Sequence, residues 1–161
     1  MPGTKFLTLI NEFEHAYEPL LAKLKGLSKA QIAFVPADPV DAWSINDHLV
    51  HLLDADCNLV FRVRGSVAEP GKTSPVWDQE AWHTHNKYSA SDGLAALAIA
   101  VSVRGFIAAS LRSQDDAILE AAWINHPERG RMSLEALLAM YARHAATHLA
   151  YVERNLAASG K

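Results

Sequence analysis

The chain has 161 residues, half of them apolar and one-fifth charged, with a net charge of −3 and a pI near 6.2. This composition excludes a disordered chain, and the acidic balance leaves no basic field to attract nucleic acid or anionic lipid. A single domain over residues 1–161 is expected, long enough to hide about 70% of its unfolded surface without a disulfide or metal staple. The one cysteine, Cys57, fits a reducing compartment. No signal-peptide core follows Met1, and no apolar run is expected to reach the roughly 18 residues a membrane span needs. A cytoplasmic location is therefore expected.

In chain order, glycine and proline cluster around Gly26, Pro36–Pro39, Gly65–Pro75 and Pro127–Gly130, and good helix formers fill the stretches between. A first helix is predicted over residues 4–25, with Phe6, Leu9, Ile10, Phe13, Tyr17 and Leu20 at helical spacing. Pro19 should kink it or divide it in two. A second helix starts at Ser44, with Asp47 completing a capping-box-like start, and ends near Gly65. A third runs from Asp92 to about 113, carrying Leu94, Leu97, Val101, Phe106 and Leu111. Ser133 caps a fourth, which continues to about 156. No segment alternates with period two for long enough to predict a strand. Four helices of this length make an all-α four-helix bundle. The long crossover between the second and third helices can traverse the bundle, which allows those two to be parallel and predicts up-down-down-up topology.

Eight histidines are present. His144 and His148 are four apart in the fourth helix, so their imidazoles reach one point on one face, the spacing of a two-ligand clip for Zn, Ni, Cu or Fe. On a helical wheel His148 lies within the apolar arc of Leu134, Tyr141, Ala145 and Val152, with His144 on its flank; Arg143 and Arg154 point away. The plainer reading is two surface or interface histidines at helical spacing; a catalytic metal wants a third ligand besides this pair. In the second helix the wheel places His51 among Asp47, Asp54, Asn58 and Arg62 on the polar side, and His48 nearer the apolar arc. Asp56 falls amid Leu49, Leu53, Val60 and Val63, where a carboxylate must be paired, hydrogen-bonded or metal-linked. Periodicity leaves the third ligand open.

These segments resemble the DinB-like (DinB/YfiT) family of metal-dependent enzymes. The resemblance rests on Trp43-Ser44 before a helix with Leu49, His51-Leu52 and Asp56, on the loop His126-Pro-Glu-Arg-Gly130-Arg-Met-Ser133 leading into Leu137-Leu138, and on His144-x-x-x-His148 with Arg154 after it. It covers nearly the whole chain in order. It implies an up-down-down-up bundle, a homodimer, and a divalent metal (Ni, Zn or Fe) held by His51, His144 and His148, choosing His51 over His48 against the wheel. It further implies a low-molecular-weight thiol cosubstrate, such as bacillithiol or mycothiol, used to transfer to or isomerise a small molecule. The other reading is a non-catalytic dimeric bundle that binds a small ligand or protein partner.

The remaining candidates have plainer expectations. Cys57 is expected to be a buried, inert thiol. His83 and His85 should lie solvated in the crossover, with Trp77 and Trp82 pinning that segment to the bundle. His126 should sit in the loop before the fourth helix, and His15 on the surface without a partner. Trp43 should pack as a hydrophobic staple against the second helix.

Overall fold

A computed structural model describes residues 2–39 and 42–160. Helix α1 (Thr4–Glu14) buries Phe6, Ile10 and Phe13. The chain breaks at residues 15–17 and resumes as α2 (Glu18–Leu24), with Pro19 in its first turn. The first predicted helix is thus two, because Pro19 offers no N–H to the His15 carbonyl and its ring crowds that group; the Glu18 N–H bonds it instead. Short α3 (Lys29–Ala33) carries a Ser28–Gln31 capping box. Helix α4 (Ile45–Leu59) opens on the Ser44–Asp47 capping box, and continues through a π-helical turn (Val60–Arg64) into α5 (Gly65–Ala68), one turn beyond its expected end.

The crossover contains α6 (Gln79–His85), capped by Asp78, and a 3-10 turn (Tyr88–Ala90). Helix α7 (Gly93–Arg112) is capped by Asp92, and α8 (Asp116–Ala121) follows. A hairpin then forms from β1 (Trp123–His126) and β2 (Gly130–Ser133), with Trp123 opposite Ser133 and His126 opposite Gly130. The sequence predicts no strand here, because Trp123 and Ile124 are adjacent apolar residues and break the alternation a strand would show. Ser133 caps α9 (Leu134–Ala158) as expected.

Long-range pairs set the topology. Asn46 at the start of α4 bonds Tyr88 and Gly93 at the start of α7, and mid-helix Asp56 meets mid-helix Arg104, so α4 and α7 are parallel. Arg112 at the end of α7 bonds Asn11 and Glu14 of α1, while the preceding Gly3 bonds Asp116 just beyond α7; those helices are antiparallel. Trp43 meets Asn155, His51 meets His144, and Arg62 meets Tyr141, making α4 and α9 antiparallel. The bundle is up-down-down-up. By length and composition α7 is apolar enough to cross a membrane; here it packs against α4 and α1.

Two large apolar clusters lie within the bundle, beside a smaller one of Val50, Tyr88 and Ala96. One gathers Phe6, Ile10, Leu59, Ile107, Leu134 and Leu138, the other Tyr17, Leu20, Leu49, Leu52, Leu97 and Val152. Between them lies a polar knot with no solvent exposure. Arg104 Nε donates to Asp56 Oδ2 at 2.8 Å and Nη2 to Oδ1 at 3.1 Å, while the Tyr17 hydroxyl donates to Oδ2 at 3.0 Å. Arg104 also reaches the Phe13 and Tyr141 carbonyls and lies over the Tyr17 ring. Asp56 is therefore ion-paired and is no part of a metal site. Its partner lies 48 residues away, beyond the reach of any local pattern.

Candidate metal centre

Three imidazoles converge between α4 and α9. His51 Nε2 is 3.2 Å from His144 Nε2, which is 3.0 Å from His148 Nε2. One nitrogen from each of these three residues lies within 4.8 Å of the others. Burial and the repulsion of neighbouring imidazoles push His51 down to about 3, and move His148 further in the same direction. Burial, with the Arg104 and Arg62 charges, pushes His144 to about 4. All three are neutral at physiological pH and keep their lone pairs.

This donor set fits a divalent ion. A neutral ring nitrogen carries either one proton or one lone pair, so His144 Nε2 cannot make a full hydrogen bond to both neighbours. An ion at the centre takes all three lone pairs at once. Nitrogens held about 2.0–2.1 Å from one ion lie about 3 Å apart when the angle between them is near 95–105°, and the two Nε2 separations match that edge length. Three imidazoles suit Zn, Ni or Fe and leave positions open for a ligand.

His48 stands behind His148. Its Nδ1 is 3.2 Å from His148 Nδ1, so it holds the far nitrogen of a ring whose Nε2 faces the centre, the role that second-sphere partners play at metal sites. Burial first, then Arg154, pushes His48 to about 4. Trp43 occupies the position before the helix cap and packs on His48 at 5.6 Å between rings, which is the expected staple. Trp43 also stacks on His83 at 4.6 Å and edges onto His51. Trp77 stacks on His51 at 5.1 Å and meets Trp82 edge-on, pinning the crossover over the site. Hence His51 is only 2% exposed. The wheel set it on a polar face because a wheel counts one helix and cannot see the segment that covers it.

Other placements differ from expectation. Cys57 is exposed; partial burial and the Asp54 and Asp56 carboxylates hold its thiol above the ordinary range. His83 and His85 belong to α6 instead of a loop. His83 lies 3.8 Å from Asp47 Oδ2, and His85 is exposed. His15 is exposed as expected but pairs with Glu18 at 2.8 Å. Arg154 lines the cavity beside His48 and His148 instead of pointing away. His126 ends β1, is 5% exposed, and lines a neighbouring cavity.

Two cavities flank the histidines, and His144 and Gln79 line both. One, about 380 Å³, is bounded by Trp43, His48, His51, Tyr151 and Arg154. The other, about 570 Å³, is bounded by Arg62, Trp77, His126, Met140 and Tyr141. Arg62 and Tyr141 carried no functional signal in the sequence beyond Arg62 sharing a wheel face with His51.

Residues 12–152 match the family model of the DinB superfamily. The chain belongs to this superfamily. Its fold is also similar to that of YfiT from Bacillus subtilis, described as a probable metal-dependent hydrolase with an unusual four-helix bundle topology. That likeness has a TM-score of 0.83 at 22% identity, covering 95% of this chain and 86% of YfiT. No curated protein sequence matches the chain significantly. The superfamily assignment agrees with the resemblance read from Trp43-Ser44, His51 and the His144–His148 pair.

Proposed function

We propose that this DinB superfamily member is a metal-dependent enzyme acting on a small molecule, with His51, His144 and His148 as ligands of one divalent ion. The observation that carries the reading is the convergence of three neutral imidazole nitrogens beside two solvent-reaching cavities. Such an ion supplies Lewis acidity and lowers the pKa of a thiol or water in its open positions. His48 holds the His148 ring by its Nδ1, and Trp43 and Trp77 pack on the His51 ring and fix it. Tyr151 and Arg154 line the smaller cavity beside the centre and are placed to orient a bound molecule.

In this reading the nucleophile is a low-molecular-weight thiol, used for transfer or isomerisation. Hydrolysis with water as nucleophile is the second reading, favoured by the description of YfiT. Elemental analysis of gently purified protein, beside a His144→Ala/His148→Ala double variant, tests the shared premise. Near one divalent ion per chain, lost in the variant while its helical circular dichroism persists, is expected. Protein that takes up no Ni or Zn from excess overturns the enzyme reading and leaves a ligand-binding bundle. Metal-loaded protein assayed on electrophiles with and without bacillithiol then separates transfer from hydrolysis.

A further inference from the structure

In the larger cavity lies the Arg62 guanidinium, which has no counter-ion among the described residues. Arg62 sits half-buried in the π-helical turn after α4, in a wall that extends to His144. Its Nη1 donates to the Tyr141 hydroxyl at 3.1 Å, and its Nε is sealed from solvent without a partner. No carboxylate among the described residues pairs with it. The acids on the cavity wall, Asp78 and Glu128, are exposed at the rim, as is Arg129. A guanidinium N–H sealed from water without an acceptor costs stability, so Arg62 Nε is a donor with unused capacity in the cavity wall.

We propose that Arg62 and Tyr141 anchor a carboxylate of the small-molecule substrate, the remainder of which reaches the three-histidine centre; this rests on the metal-dependent reading above. A guanidinium presents paired N–H donors that match a carboxylate. The Tyr141 oxygen accepts from Arg62, which leaves its own proton to donate. His126 accepts the Glu128 N–H on Nδ1 at 3.3 Å, so Nε2 carries its ring proton on the same wall. One interior cation with acids at the rim matches a singly charged carboxylate and disfavours a phosphate dianion. The Tyr141 and His144 rings are 6.5 Å apart, so an anchored carboxylate lies a few bonds from a group at the centre. Trp77 and Met140 give the intervening chain an apolar wall. The substrate class is thus a small carboxylic acid whose reacting atom is a few bonds from its carboxylate.

Titration of butyrate, butyramide and orthophosphate into isotope-labelled protein, followed by amide chemical shifts in metal-free and zinc-loaded samples, tests the anchor. Butyrate should bind at least tenfold more tightly than butyramide or orthophosphate in both samples, with shifts centred on Arg62 and Tyr141. Arg62→Gln should lose at least tenfold in butyrate affinity, Tyr141→Phe less, and Arg62→Lys should recover part of the loss. Equal binding of butyrate and butyramide, tighter binding of orthophosphate, or undiminished butyrate affinity in a folded Arg62→Gln overturns the proposal. Zinc stoichiometry of the same samples reads the metal centre separately. Arg62→Gln should still take up one zinc; if wild type takes none while butyrate binding persists, the metal reading fails and the anchor stands.

Discussion

At the scale of single residues, the site depends on how each imidazole is held as much as on which residues are histidine. His148 reaches the centre through Nε2 and is steadied through Nδ1 by His48. His48→Ala should therefore weaken zinc binding about 10- to 100-fold, the usual effect of losing a second-sphere partner, while His148→Ala should abolish it. Competition titration against a zinc chelator measures both; unchanged affinity in His48→Ala would make His48 a packing residue only. Arg62 and Tyr141 matter in the same way. Each is unremarkable alone, and their meeting across α4 and α9 creates the only hydrogen bond of the Arg62 guanidinium among the described residues.

At the scale of elements, the Asp56–Arg104 pair ties α4 to α7 at mid-length, with Tyr17 of the α1–α2 break closing the knot. Both partners are fully buried, so removing one leaves the other as an uncompensated charge. Arg104→Met should cost about 3–5 kcal/mol in urea denaturation. The Asp56→Leu/Arg104→Met double variant should cost less than the sum of its two single variants, since neither charge remains. Additive losses would show that the two side chains contribute independently. The crossover works at this scale too: α6 and the Trp77 segment carry few core residues, yet Trp77 covers His51 and Gln79 lines both cavities.

At the scale of the whole molecule, burying four neutral histidines links stability to pH. His48 and His144 are pushed to about 4 and His51 to about 3, chiefly by burial. An unfolded histidine titrates near 6.5, so between these values the unfolded chain binds protons that the fold refuses. Metal-free protein should hold its full stability above about pH 6.5 and lose it progressively as pH falls towards about 4. Urea midpoints measured from pH 7.5 to 4.5 check this, and a flat profile would mean the cluster is not sealed. Zinc in excess should raise the melting temperature at pH 7.5 and lose that effect in acid, because protonated imidazoles cannot ligate.

Local rules made much of this protein legible. Ser44–Asp47, Asp92 and Ser133 start helices where capping chemistry says they should, and Pro19 ends one. The i, i+4 spacing of His144 and His148 set both rings on one face, because that relation lies within a single helix. Asp56 declared that it needed a partner, since a carboxylate on an apolar stripe cannot stand alone. What lay beyond such rules depends on contacts between distant segments. Asp56 found Arg104 and not a metal; His51 was covered by Trp77 from a crossover whose course no periodicity describes; Cys57, set among apolar neighbours in sequence, is exposed in the packed bundle. Periodicity reports which way a side chain points from its own helix, whereas burial and partnership depend on what arrives from elsewhere, and only the packed bundle decides that.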